Sequence, residues 1–181
     1  ATAALTVSSL TLESGASFIT NSTVTGNLTY NVHISDDKWH LVSSPVVREQ
    51  HNDAWVTANS IASGTNSNKG IATYLNTAAD TDIDGAGSDT TISQNVNNWN
   101  MIGNPYPSYL NIASFITANS VTNDNLSAGF LAVYVWNAST SSYNELTTGD
   151  IHPGQAFFVN SKVNGTASIT EAMQSHQSGI T

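Results

Sequence analysis

The chain has 181 residues, 39 % of them hydrophobic, which is enough apolar material for one domain with a real core. Only 9 % are charged and the net charge is −9, so its four Lys plus Arg cannot neutralise a phosphate backbone, and no basic amphipathic face exists for an anionic bilayer. Without Cys there is no disulfide, thiolate metal site or Cys nucleophile, and no apolar run approaches the roughly 20 residues that span a membrane.

Polarity has to come from Ser, Thr, Asn and Gly, while the Trp, Tyr, Ile and Val segments argue for folded β structure rather than disorder. The opening "ATAALTVSS" has no basic stretch before an apolar core, so no signal peptide is expected there, and the chain reads as a piece of a longer one. Over residues 1–34, short apolar alternations (Leu5 and Val7, then Leu10 and Leu12) are broken by Ser-Gly and Thr-Gly. "LTLESGAS" reads as a rung of a β-solenoid, and one or two rungs have to lean on the rest of the chain.

Residues 35–181 contain a near repeat. "KWHLVSSPV" and "NWNMIGNPYP" place Trp39 and Trp99 60 residues apart, as are Pro45 and Pro105. "WVTANSI" and "FITANSV" repeat at the same offset, and so do "IATYL" and "LAVYV". Three gapless matches at one spacing argue for a duplication covering 39–75 and 99–135. Each copy starts with a strand at its Trp, with Trp39, Leu41 and Ser43 on one face, and a Pro ends it. A short helical turn follows, capped by Asn111 in the second copy and by Asp53 in the first. A strand comes next, over 71–75 or 130–136. The second copy then adds a hairpin, "VYVWNASTSSYNEL", and a last strand in "HPGQAFFVNS". The expected fold is all-β: a β-sandwich or jelly-roll on an internal pseudo-repeat, led by the short solenoid-like segment.

The sharpest chemical motif is acidic. Asp80, Asp82 and Asp84 followed by Gly85 match the opening of a calcium loop, in which oxygen ligands at alternate positions converge on one cation. Thr91 stands where the bidentate Glu belongs, so Asp89 would have to complete a structural Ca2+ site; the alternative is a solvated acidic loop. Aromatics are the second signal, because a pyranose presents an apolar CH face that stacks on Trp or Tyr. An aromatic found in both copies is expected to serve the shared core: Trp39 with Trp99, Trp55 with Phe115. Those unique to one copy, Tyr106, Tyr109, Trp136 and Tyr143, are the better ligand candidates. Alternation puts Leu131, Val133 and Val135 toward the core and Ala132, Tyr134 and Trp136 on the opposite face, an aromatic platform beside Tyr143, with Glu145 and Asn137 to bind hydroxyls. That platform is covered instead if the other copy or residues 1–34 pack on it.

Catalysis has weak support. "VREQHND" gathers Arg48, Glu49, His51 and Asp53, but in a connection where exposed polar residues are expected. His33, His40, His152 and His176 are scattered without metal-ligand spacing. No phosphate loop or nucleophile motif stands out.

"WNMIGNPYPSYLN", "VYVWN", "PGQAFFV" and "EAMQSHQ", together with "LTLESGASFIT" and "KWHLVSSPV", resemble an accessory segment of very large secreted Bacteroidetes proteins. That segment sits just before a C-terminal sorting domain of the type nine secretion system. The resemblance covers nearly the whole chain and implies export, a secreted or cell-surface location and a non-catalytic role. The chain departs from the pattern in the short acidic middle of its first copy and in lacking the sorting domain. The expected function is a non-catalytic carbohydrate-binding module, with a polysaccharide as ligand and catalytic or sorting modules as neighbours. It calls for exposed, coplanar aromatics. The alternative is a structural spacer, or an adhesin element, with no glycan ligand.

Overall fold

The computed structural model describes residues 4–19, 23–36, 38–45, 53–61, 91–92, 94 and 97–177. Most of the structure is β, in antiparallel sheets, with few helical turns.

Among the described residues the one parallel pairing lies at the N-terminus, where β1 (Leu5–Leu12) runs beside β2 (Val24–Tyr30). Like residues face each other across it: Leu5 with Val24, Leu10 with Leu28, and Thr11 with Thr29. The register slips once, between Thr6 and Ser9. There Gly26 takes φ 138°, and a Cβ on it would lie 2.1 Å from the Val7 carbonyl oxygen, so only glycine fits. Apolar residues of both strands are half-buried and none is fully buried. The pair leans on the rest of the chain through the turn after β1. Phe18 N–H donates to Pro107 O at 2.7 Å and Tyr109 OH to Gly15 O at 3.2 Å, while Tyr30 OH, donating to Ala16 O at 2.7 Å, holds the turn onto β2.

After α1 (Asp53–Ala58), a short β3 (Thr91–Ile92) pairs with β10 (Gly165–Thr166). The centre is a four-stranded antiparallel sheet ordered β4 (Trp99–Gly103), β9 (Ala156–Asn160), β6 (Val133–Asn137), β7 (Ser142–Leu146). A second antiparallel sheet is ordered β11 (Gln174–Ser175), β5 (Tyr109–Asn111), β8 (Asp150–Ile151). The core lies on the inner side of the central sheet, where Ile102, Val133, Val135, Phe157 and Val159 meet Leu110, Ile112, Phe115 and Ile151.

The helical turn α2 (Ile112–Thr117) starts as its sequence requires. Asn111 sits in extended backbone and its Oδ1 accepts from Ser114 N at 2.9 Å. Ile112 and Phe115, three apart, put their apolar face into the core. A π-helical turn, Ala118–Thr122, extends it, and fully buried Asn119 ties its end to the strands. Asn119 Nδ2 donates to Phe115 O (2.9 Å) and Ser168 O (2.8 Å), while its Oδ1 accepts from Ser168 N (2.7 Å) and Asn125 Nδ2 (3.0 Å). Asn104 does similar work in "GNPYPS", where Pro105 and Pro107 supply no N–H. Its Oδ1 accepts from Tyr106 N and its Nδ2 donates to Ser108 O, stapling the turn into a buried position.

Two expectations about the strands need correcting. Trp39 is 59 % exposed and Trp99 half-buried, so neither is a core residue. In β4 the inward positions are Asn100 and Ile102, which leaves Trp99 facing outward. The strand expected from Phe130 begins instead at Val133, and Leu131 is exposed ahead of it. The expected strand over 71–75 lies outside the described residues.

Candidate binding face and adjoining cleft

The register of the central sheet builds its outer face row by row. Met101 is paired with Phe158, Phe158 with Tyr134, and Tyr134 with Glu145, one residue from each of the four strands. Side chains two positions along a strand share a face, so Trp99 and Trp136 join this row's side. Trp136 is paired with Tyr143. The rings interlock: Trp99 lies 4.8 Å from Tyr134 and 5.3 Å from Phe130, while Tyr143 lies 5.1 Å from Trp136 and 5.6 Å from Phe158. All four contacts are edge-to-face, at 68° to 89°. The outer side is thus an aromatic cluster rather than a coplanar platform. Its accessible rings stand at opposite margins, Tyr143 50 % exposed and Phe130 42 %.

The structure therefore brings Tyr134, Trp136, Tyr143 and Glu145 together on one sheet face. Burial pushes the Tyr134 hydroxyl up, and the Glu145 carboxylate adds to the rise. Tyr106 and Tyr109 lie elsewhere. Tyr106 packs half-buried against the core, and Tyr109 is 1 % exposed, its ring 5.0 Å from that of His152. From there Tyr109 contributes to no surface. Trp99 and Phe130 were missed as binding candidates. A repeated Trp signals a shared unit, but only strand pairing shows which side of that unit the ring faces. Asp80, Asp82, Asp84 and Asp89 lie outside the described residues, as do Arg48, Glu49 and His51. Among the described residues no group of three or more His, Asp or Glu could hold a metal ion.

Trp136 also walls a second feature, a cleft of about 250 Å3. Val32 and Ile34 come from the segment after β2, Leu41 and Val42 from the stretch after Trp39, and Pro153 and Gln155 from the turn before β9. His33, His40 and His152, scattered in sequence, line this one space. His40 Nε2 lies 2.8 Å from Asp36 Oδ1, and this hydrogen bond, with one from Lys38 N, holds the Asp36 carboxyl below its ordinary value. Gln155 Oε1 accepts from His152 N at 3.0 Å. The indole N–H of Trp136 is buried without an acceptor, the one such side-chain group among the described residues.

Burial lowers the pKa of His152, and Asp150 offsets this only in part. A histidine with a lowered folded pKa binds its proton less readily than the unfolded chain does. Its contribution is complete above the ordinary value near 6.5 and is lost as pH falls through the lowered value. An NMR titration should place the His152 midpoint below 6.5, and His152→Gln should flatten the slope of stability against pH in that window. A midpoint at or above 6.5 contradicts this. No protein-family model, curated protein or solved structure matches the chain.

Proposed function

We propose that this chain is a non-catalytic polysaccharide-binding module and that the outer face of its central sheet is the site. One observation carries the reading. Two groups of touching rings, Trp99 with Phe130 and Tyr134, and Tyr143 with Trp136 and Phe158, lie on or beside one sheet face, with exposed rings at its margins and exposed Glu145 among them. Exposed aromatic rings are where proteins bind, and a pyranose offers the CH face and hydroxyls that suit Tyr143 and Glu145. The same reading makes the module an accessory part of a secreted or cell-surface protein, joined to catalytic or sorting modules, as the Bacteroidetes resemblance implies. It takes the fold as a sandwich on a duplicated unit. Three likenesses support the duplication: α1 and α2 lie at nearly the repeat offset; Asn59 Nδ2 reaches Trp55 O as Asn119 Nδ2 reaches Phe115 O, both at 2.9 Å; and Ser43 packs on its counterpart Gly103.

Affinity electrophoresis through gels holding neutral and acidic polysaccharides tests the reading. At least one polymer should retard the protein. Tyr143→Ala should weaken retardation about tenfold, the worth of roughly 1.4 kcal/mol of lost apolar contact, with Trp99→Ala acting likewise. Retardation unchanged in both variants sinks the assignment of the face. The same gels run with calcium and with chelator address the acidic loop. A structural Ca2+ held by Asp80, Asp82, Asp84 and Asp89 requires chelator to lower the Tm, and an unchanged Tm removes it.

The edge-to-face packing favours a second reading, a structural spacer or adhesin element whose rings stabilise the sheet. It requires that no polymer retards the protein and that Tyr143→Ala costs stability beyond what a half-exposed ring accounts for.

A further inference from the structure

The cleft beside Trp136 has a chemistry of its own. Among the described residues no Lys, Arg, Asp or Glu lines it. Its polar groups are imidazoles, the Gln155 amide and hydroxyls, all able to exchange hydrogen bonds with hydroxyl groups. Val32, Ile34, Leu41 and the Trp136 ring supply an apolar wall. Sites for drug-sized ligands run from about 300 to 1,000 Å3. At about 250 Å3 this one has room for a single sugar ring.

Charge narrows the ligand further. Sulfates and uronates need a cation to replace their hydration. The described cleft wall has none, and the whole chain carries a net charge of −9. His152 is held toward its neutral form by burial. Trp136 stands both in the aromatic face, against Tyr143, and in the cleft wall, so a glycan lying on the face meets the cleft at this residue. We infer that the cleft is a second subsite for one neutral, unsubstituted sugar residue, which adds a preference for neutral glycans to the binding at the face. The inference rests on the glycan-binding reading of the face. The unpartnered Trp136 N–H has no room for a ligand oxygen as the ring stands, because the atom is sealed from solvent. A sugar seated against the ring reaches this N–H only by turning the ring or shifting its cover, which makes the indole resonance the natural reporter.

The test is a 1H–15N NMR titration of the full chain with methyl β-glucoside, methyl α-mannoside, methyl β-galactoside and galacturonate. At least one neutral glycoside should shift the Trp136 indole and the amides of Val32, His33, Val42 and Gln155, saturating at millimolar concentration. Galacturonate should bind at least tenfold more weakly. Val32→Trp, which fills the cleft from a partly exposed position, should abolish these shifts while polymer retardation through Tyr143 persists. Absence of cleft shifts with every glycoside overturns the inference, as does equal binding of galacturonate. Cleft shifts without retardation by any polymer would sink the face and leave the cleft standing. Retardation without cleft shifts would do the reverse.

Discussion

Asn119→Asp should leave too little stability to hold the fold at neutral pH. The change alters one atom, yet Asn119 Nδ2 faces two carbonyl oxygens, Phe115 O at 2.9 Å and Ser168 O at 2.8 Å, in a fully buried position. A carboxylate replaces that donor with a negative oxygen, so two hydrogen bonds become repulsions and a charge is stranded away from water. Orphaning Ser168 O costs about 1–3 kcal/mol, Phe115 O keeps the Ala118 N–H but faces the new charge, and the buried charge costs several more. A penalty of about 5 kcal/mol or more equals the whole stability of a marginal domain. The carboxyl escapes by holding a proton, so its folded pKa rises above the unfolded value. Stability should therefore increase as pH falls through the raised value, the reverse of the His152 trend. Urea unfolding at pH 7 and pH 4 checks both statements. Asn119→Ala, which removes the same donor without adding a charge, should fall between wild type and Asn119→Asp at pH 7. A variant as stable as wild type at pH 7 would mean that Asn119 is not the tie between the helical turn and residues 125 and 168.

Phe157→Ala should cost about 3–5 kcal/mol, the range for truncating a fully buried aromatic. Phe157 is the inward neighbour of Phe158 on β9, paired with Ile102, and its ring meets that of Phe115 edge-to-face at 5.4 Å. The two rings join the central sheet to α2, so the cavity would open between elements rather than at a margin that can collapse. Phe157→Leu keeps most of the volume and should cost under about 1.5 kcal/mol. Tyr143→Ala, on the outer side of the same sheet, should stay near 1 kcal/mol. Denaturant midpoints that shift without a change in slope would establish the order. Equal costs for Phe157→Ala and Tyr143→Ala would mean that both sides of the sheet are packed alike, against the exposure of Tyr143.

These contrasts also show what the sequence could and could not disclose. The Asn111 cap, the β6–β7 hairpin and the strand after Pro153-Gly154 depend on neighbours within a few residues, and each formed where local rules place it. Alternation correctly put Tyr134 and Trp136 opposite Val133 and Val135. It could not reveal that the outer side lies open at Tyr143, because alternation sorts residues into faces without saying what covers each. Tyr109 failed for the complementary reason. Its cover is the turn at Gly15, 94 residues away, and its neighbour His152 arrives from another strand's end. The cleft was illegible for the same cause, since its three histidines converge only through tertiary packing.

The parallel pairing of β1 with β2 has a mechanical consequence. In an antiparallel hairpin the two free ends emerge side by side, and tension opens the pairs one after another. Here Leu5 lies beside Val24 and Leu12 beside Tyr30, while the anchoring contacts of Gly15 and Phe18 sit past the Leu12 end. A pull on the first residues therefore runs along the ladder toward its anchor and shears its six paired positions together. The paired strands, although neither buries a residue completely, are oriented to resist stretching along the chain, and their rupture under tension should be abrupt rather than gradual.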